Sequence, residues 1–321
     1  MASMMTRTFF TIAAASCLAT GVAACSANSN DNNVFGAGGT GGSFINPGTG
    51  GGGDGGGSNG SGGTLLGNNE GGVADDCSDN AKKIFVVSKE GALYTFDPGI
   101  PGLGAYVKLG NLNCPATTTP QTMGVDRSGT AWVFYSGGHL FRVTTDQGNV
   151  VCSSTTYQHP GATPGGMYTL GMGFTATAPS SKEQSLYMIS DTFGLATIDV
   201  YGGFAVTMTN ALKGTSGELT GGPDGRLFTY EATSGQLSEI ALGGGYAKQP
   251  ITTLSNIAGA SGWAFSRYGG VFYIFTSAGL ASSQCSTYDP ASNAFGVRDT
   301  SVGFTVVGAG QSTCVPPPVP K

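Results

Sequence analysis

From residue 77 onward, short apolar and aromatic runs alternate with clusters of Gly, Asp, Asn and Pro. No stretch sustains a 3.6-residue apolar period, so the pattern predicts short strands joined by turns. One segment recurs: TMGVD around Met123, GMGF around Met172, ELTGG around Leu219, GWAFS around Trp263 and VVGAG around Val307. Its spacings of 49, 47, 44 and 44 residues match the roughly 40–50 residues of a propeller blade. Each of the first four segments precedes a second run (131–135, 186–189, 227–230, 271–275) and a third (139–144, 195–200, 236–241, 286–289). A fainter fourth follows at 149–153, 204–208, 249–254 and 295–299.

The two ends break this order in complementary ways. IFVV (84–87) and ALYTF (92–96) read as second and third strands with no first strand before them. VVGAGQSTC (306–314) contains a first strand with nothing after it. Together they complete one blade. The expected fold is an all-β, five-bladed β-propeller (six blades being the alternative), closed by pairing of the N- and C-terminal strands. Closure removes the open sheet edges of an incomplete ring. The turns DRSG (126–129), PDG (223–225) and RYGG (267–270) fall between first and second strands, where Gly supplies the positive φ of a tight hairpin. Small residues in the first strands suit the crowding near a central axis.

The first 76 residues have a different texture. Arg7 gives a basic start, residues 8–21 are mostly apolar or small, and Val-Ala-Ala-Cys follows at 22–25. That order reads as a secretory signal, and the apolar run is shorter than the ~20 residues of a membrane span. Residues 22–25 resemble the lipobox of bacterial lipoproteins. The resemblance implies cleavage after residue 24 and diacylglycerol on Cys25. Ser26 stands where an aspartate often retains such proteins in the inner membrane, so in a Gram-negative host the resemblance implies the outer membrane. Several acyl chains give durable attachment. Residues 25–76 are a Gly/Asn/Ser-rich linker, expected to be disordered with a reach of roughly 40 Å. The GxGxxG match at 36–41 follows no strand and opens no helix, so it reads as coincidence.

Composition narrows the function classes. Basic residues number 14 against 19 acidic, which argues against a nucleic-acid partner. Only two histidines occur, His139 and His159, both read as loop residues, so a histidine-based metal or nucleophile scheme has little to build on. From residue 77 onward no GxSxG elbow is present, and the chain has no Cys-x-x-Cys. Export places Cys77, Cys114, Cys152, Cys285 and Cys314 in an oxidising compartment. The ring predicts a Cys77–Cys314 bridge across the closure, worth about 4–5 kcal/mol in the chain-entropy account, and a Cys114–Cys152 bridge between the outer strands of adjacent blades. Cys285 is left over, as a buried apolar residue or a free thiol.

The motifs KKIFVVSKEGALYTFDP, NCP, MGVDRSGTAWVFY, LGMGF, ELTGGPDGRLF, WAFSRYGGVFYIFT and VGAGQSTC together resemble a group of uncharacterised secreted lipoproteins of myxobacteria and related bacteria. The resemblance covers nearly all of 77–321. It implies a cell-envelope protein in which the cysteines at 77, 114, 152 and 314 recur and Cys285 is extra. It assigns no catalytic residue.

A site at a mouth of the channel would draw on Asp126, Glu218, Asp224, Trp263 and Arg267. Asp126 and Asp224 sit in Asp-x-x-Gly and Pro-Asp-Gly turns, where Asp caps its own turn. Glu218 has no such role and is the best single acid. Calcium would suit oxygen ligands, but the acids are scattered without a binding-loop spacing, so no cofactor is predicted. Trp132, Phe134, Tyr135, Phe265, Tyr273 and Phe275 read as core between blades. Trp263 and Arg267 are candidate ligand contacts, and Tyr157, Tyr168 and Tyr246 are possible ones. The expected function is a non-catalytic, envelope-anchored module that binds, or acts as a scaffold for, a glycan, a peptide or an envelope protein. The alternative is a carbohydrate- or lactone-active hydrolase using Glu218.

Overall fold

The short apolar runs become strands buried on both faces, because each blade packs between two neighbours. The computed structural model describes residues 77–318, apart from 147 and 280. The predicted signal, Cys25 and the linker lie outside the described residues. The first blade begins with β1 (Ile84–Ser88), β2 (Ala92–Phe96) and β3 (Tyr106–Asn111). The second holds β4 (Pro120–Val125), β5 (Ala131–Tyr135), β6 (His139–Asp146) and β7 (Asn149–Ser154). The third holds β8 (Gly171–Ala176), β9 (Gln184–Ser190), β10 (Gly194–Ile198) and β11 (Val206–Met208). The fourth holds β12 (Glu218–Gly221), β13 (Leu227–Glu231), β14 (Gln236–Ile240) and β15 (Lys248–Thr253). The fifth holds β16 (Gly262–Tyr268), β17 (Val271–Ser277), β18 (Gln284–Asp289) and β19 (Ala294–Asp299). The last strand, β20 (Val306–Gln311), returns to the first blade, whose sheet order is β20-β1-β2-β3. Among the described residues, no helix is long and apolar enough to cross a membrane.

This is a five-bladed β-propeller, closed as the sequence predicts. β20 pairs antiparallel with β1, Ile84 opposite Gln311 and Val86 opposite Ala309. The inner strands β20, β4, β8, β12 and β16 neighbour one another in that cyclic order. Five apolar clusters fill the five interfaces between blades. The second and third blades meet through Phe134, Met172, Phe174 and Leu186, and the fourth and fifth through Phe228, Tyr230, Phe265 and Phe272. Burying each such side chain contributes about 1.5–3 kcal/mol. The interface between the third and fourth blades has a small apolar cluster of Ile189, Leu195, Leu219, Leu227 and Ile240. Glycines bring the inner strands together there. A Cβ on Gly171 would lie 2.2 Å from the Gly217 carbonyl oxygen, and one on Gly221 would lie 2.3 Å from that of Phe174.

Both expected disulfides form. Cys77 and Cys314, 237 residues apart, have Cα atoms 5.8 Å apart. Cys114 and Cys152 have Cα atoms 5.1 Å apart. Cys285 is fully buried in the core between the fifth and first blades, where desolvation pushes its thiol up to about 12. It packs as an apolar residue.

Three local details differ from the sequence reading. The third strand of the third blade stops at Ile198, because Asp199 Oδ1 accepts the Tyr201 and Gly202 N–H groups and turns the chain. Phe204 has φ 64°, which excludes it from the strand and delays β11 to Val206. His139, read both as the head of the 139–144 run and as a loop residue, opens β6.

The closure and the inner packing each set a stability expectation. Replacing Cys77 and Cys314 by serine together should lower unfolding free energy by about 2–5 kcal/mol, read as a lower urea midpoint at unchanged slope. Gly171→Ala should cost about 1–3 kcal/mol through overpacking, whereas Gly148→Ala, whose Cβ meets nothing within 4 Å, should cost only the strain of its positive φ.

Candidate functional site

All five inner strands begin at the same end of the channel, and there they enclose a cavity of about 300 Å³. Every blade contributes to its wall. The first supplies Lys89, Thr305 and Val307, and the second Thr119, Gln121 and Ser136. Thr169 and Leu170 come from the third, Gly217 and Glu218 from the fourth, and Ser261, Gly262 and Trp263 from the fifth. A second cavity of about 330 Å³ is lined by residues of the third blade alone, among them Gln184, Asp199 and Tyr201. The first has the better claim to function, because groups from five separate elements converge on it.

Glu218, the first residue of β12, is 2% exposed. Its Oε1 accepts the Thr122 hydroxyl from β4 and the Met172 N–H from β8, the latter at 3.1 Å. One side chain thus joins the inner strands of three blades. Burial pushes the carboxyl well above the usual carboxylate range, while the Thr122, Met172 and Leu219 hydrogen bonds oppose that shift. Burial therefore favours the protonated acid. Among the described residues that line the cavity, no other carboxyl is present. The pair of facing carboxyls that glycoside hydrolysis ordinarily uses is therefore not assembled there. Nor do the described residues contain a group of three or more His, Cys, Asp or Glu side chains placed to hold a metal ion.

Gln311, the last residue of β20, makes the matching connection deeper in the channel. Its Oε1 accepts the Thr220 hydroxyl at 2.9 Å, the Arg267 N–H at 3.1 Å and the Ser266 hydroxyl, and its Nε2 donates to the Gly221 carbonyl. It joins the first, fourth and fifth blades.

The structure separates the other candidate residues. Trp263 lies at the mouth, partly buried against the core between the fourth and fifth blades. Arg267 lies four residues along the same strand, ~13 Å further down at the rise of an extended chain. It is 5% exposed, donates to Asp224 Oδ2 at 2.7 Å and stacks 4.6 Å from the Phe228 ring centre. Desolvation lowers its pKa and Asp224 opposes the shift. Arg267 and Trp263 therefore do not share a site. Asp126 accepts the Ser128 N–H at 2.9 Å, the Thr130 N–H at 3.1 Å, the Trp132 indole N–H at 3.1 Å and the Tyr201 hydroxyl at 3.1 Å, so it serves its turn, its blade and the contact with the third blade. Tyr157 is buried in the core between the second and third blades and is not a surface contact. Tyr246 packs partly buried against the cluster of the third and fourth blades. The Tyr168 and His159 rings lie 4.1 Å apart, tilted by 40°, in the long connection from β7 to β8. Tyr168 N–H donates to the Ser136 carbonyl at 2.7 Å, which fixes that connection beside the mouth. Burial lowers the His159 pKa to about 4.

Lys89, Gln121 and Gln311 carried no signal in the sequence reading. Lys89 lies in a hairpin turn and Gln311 at a strand end, positions where a polar residue is ordinary.

No protein-family model matches the chain, and no curated protein matches it. Solved structures of similar fold include virginiamycin B lyase from Staphylococcus aureus, at 14% identity and TM-score 0.38, covering 66% of this chain and 68% of that one. A chain of a nidogen/laminin complex matches at 7% identity and TM-score 0.46, covering 71% and 97%. Regucalcin, a calcium-binding protein from Agrobacterium tumefaciens, matches at 12% identity and TM-score 0.43, covering 73% and 76%. These likenesses concern the fold alone.

Glu218 should leave a signature in the pH dependence of stability. Its folded pKa is raised, so its contribution is full below the ordinary glutamate range and is lost as pH rises through the folded value. Glu218→Gln cannot ionise and should gain in melting temperature relative to wild type as pH rises from 4 to 9. Parallel profiles for the two proteins would show that Glu218 does not titrate between its folded and unfolded states in this range.

Proposed function

We propose that the protein is a non-catalytic binding module, held to the cell envelope by lipid on Cys25, whose ligand enters the mouth bearing Trp263. The observation that carries this reading is the convergence of five blades on one cavity that offers an indole, amide and hydroxyl groups and a single carboxyl already held by Thr122 and Met172. Such a wall suits recognition: an aromatic surface for area and a few polar groups for orientation. The lipobox-like residues 22–25, the linker to residue 76 and the likeness to secreted myxobacterial lipoproteins support export and anchoring in the outer membrane. Two disulfides in one domain suit an oxidising compartment.

A second reading rests on Glu218. A buried acid biased toward its protonated form, at a cavity, is the usual condition of a general acid. A hydrolase acting on a carbohydrate or a lactone would use it to protonate a leaving group.

Two experiments separate these readings and test the anchor. The full-length protein, extracted in detergent, is incubated with a panel of envelope polysaccharides, and both binding and released products are recorded. Saturable binding without products, weakened about tenfold or more by Trp263→Ala, is the expected result. Product release that disappears in Glu218→Gln would overturn the non-catalytic reading. In cells, Cys25→Ser should move the protein from the membrane fraction to the soluble fraction, and its retention in membranes would refute lipid attachment at that residue.

A further inference from the structure

The outer strand of each blade ends its sheet, so its outward N–H and C=O groups have no partner strand. Such edges invite pairing with another chain, and folded proteins blunt them with charges, prolines, bulges or short strands. Four of the five outer edges are blunted in this way. β3 carries Lys108 and a register shift against β2. β11 has only three residues. β15 carries Lys248, Pro250 and a register shift against β14. β19 carries Arg298, Asp299 and a register shift against β18. β7 (NVVCSS) is the exception. It has six residues with no charge and no proline, and it pairs with β6 without a shift from Asn149 to Ser154.

The register of β7 fixes which of its groups are open. Asp146 pairs with Asn149 across a two-residue turn. The closing pair of such a hairpin exchanges both hydrogen bonds, and bonded and non-bonded pairs alternate beyond it. Asn149, Val151 and Ser153 therefore bond to β6, while Val150, Cys152 and Ser154 turn their N–H and C=O groups outward. Among the described residues, no other backbone group bonds to these three. The strand is also held in place. Cys152 is bridged to Cys114, and Val150 packs over Gly110, where a Cβ would lie 2.8 Å from Val150 Cγ2. Val151 points to the opposite face and is 47% exposed.

We infer that β7 is a dimerisation edge, at which a second copy of this chain pairs antiparallel with the first about a two-fold axis through Cys152. Cys152 then stands opposite Cys152 of the partner subunit, and Val150 opposite Ser154 of the partner subunit. This register gives every outward group of Val150, Cys152 and Ser154 a hydrogen bond in both copies. Val151 lies beside Ser153 of the partner subunit, and the two blades become one eight-stranded sheet whose channels run in opposite directions. A second copy fits better than an unrelated strand, because it brings an edge that is bare in the same way, and one pairing covers both. No like charges are opposed. The strand is neutral, and Arg142, opposite Ser153 on β6, stands three strand spacings (~14 Å) from its counterpart, beyond the range of strong repulsion in physiological salt. The pairing is short, so the dimer is weak and depends on concentration. The inference stands apart from the ligand at the mouth.

The test is sedimentation of the full-length protein in detergent, where monomer should pass to dimer between about 1 and 100 μM, the range of a small interface. Val151→Lys sets two ammonium groups diagonally across the pairing and should raise the dissociation constant about tenfold or more. Ser154→Pro removes an outward N–H that β6 does not use and should weaken the dimer likewise. Val107→Lys makes the same change of charge at an exposed position of β3 and should leave the dimer as it is. Both lysine variants should melt within about two degrees of wild type, since each replaces an exposed side chain. The amides of Val150, Cys152 and Ser154 should gain protection from hydrogen exchange as concentration rises. A protein that stays monomeric throughout, or a dimer that Val151→Lys and Ser154→Pro leave intact, would overturn the inference. Full protection of those amides in the monomer would show that another segment or a bound peptide covers the edge, and would overturn it too.

Discussion

The pairing of β20 with β1 is the constraint on which the rest of the molecule depends. Each blade presents two apolar faces, and neither is buried unless a neighbour stands on each side. Without β20, the first blade would lose its inner strand, and the core that Val306 and Ala309 share with Ala264 and Phe275 would open to water. The Cys77–Cys314 bridge sits just outside this pairing and holds the two chain ends together through the covalent frame. A loop of this length has much conformational freedom when unfolded, so the cross-link acts largely by restricting the unfolded chain.

The axis poses the opposite problem. Five strands converge there with polar groups that neither blade cores nor bulk water can satisfy, and each one left without a partner would be costly. Two side chains answer this. Glu218 joins the second, third and fourth blades near the mouth, and Gln311 joins the first, fourth and fifth below it. The same network explains why one end of the channel is a candidate site. Glu218 and Gln311 turn their acceptors on donors of neighbouring inner strands, whereas the Lys89 ammonium at the mouth makes no ion pair among the described residues.

Much of the architecture was legible because it repeats. The spacing of Met123, Met172, Leu219, Trp263 and Val307 marks the inner strands, and the unmatched fragments at 84–96 and 306–314 reveal the closure. The cysteine pairs could be read because they sit at positions that the ring brings together. Other features left weaker traces. β3 is mostly solvent-facing, so it lacks the apolar run that marks a buried strand. Arg267 and Trp263 share a strand, but an extended chain carries them to different depths, and periodicity does not say at which end a cavity will form. Tyr157 and His159 lie in a loop by sequence yet are buried, because the long connection from β7 folds back over the edge of the core. Lys89 and Gln311 matter only through groups that lie far away in the chain.

Native-state amide hydrogen exchange across β20 would test the central claim most directly, namely that the terminal strand is an integral part of the ring that shapes the mouth. The account predicts that the hydrogen-bonded amides of Val306–Gln311 exchange only through global unfolding, with the same free energy as those of β4, β8, β12 and β16. Exchange of β20 through a local opening several kcal/mol below the global value, with the other inner strands still protected, would contradict it.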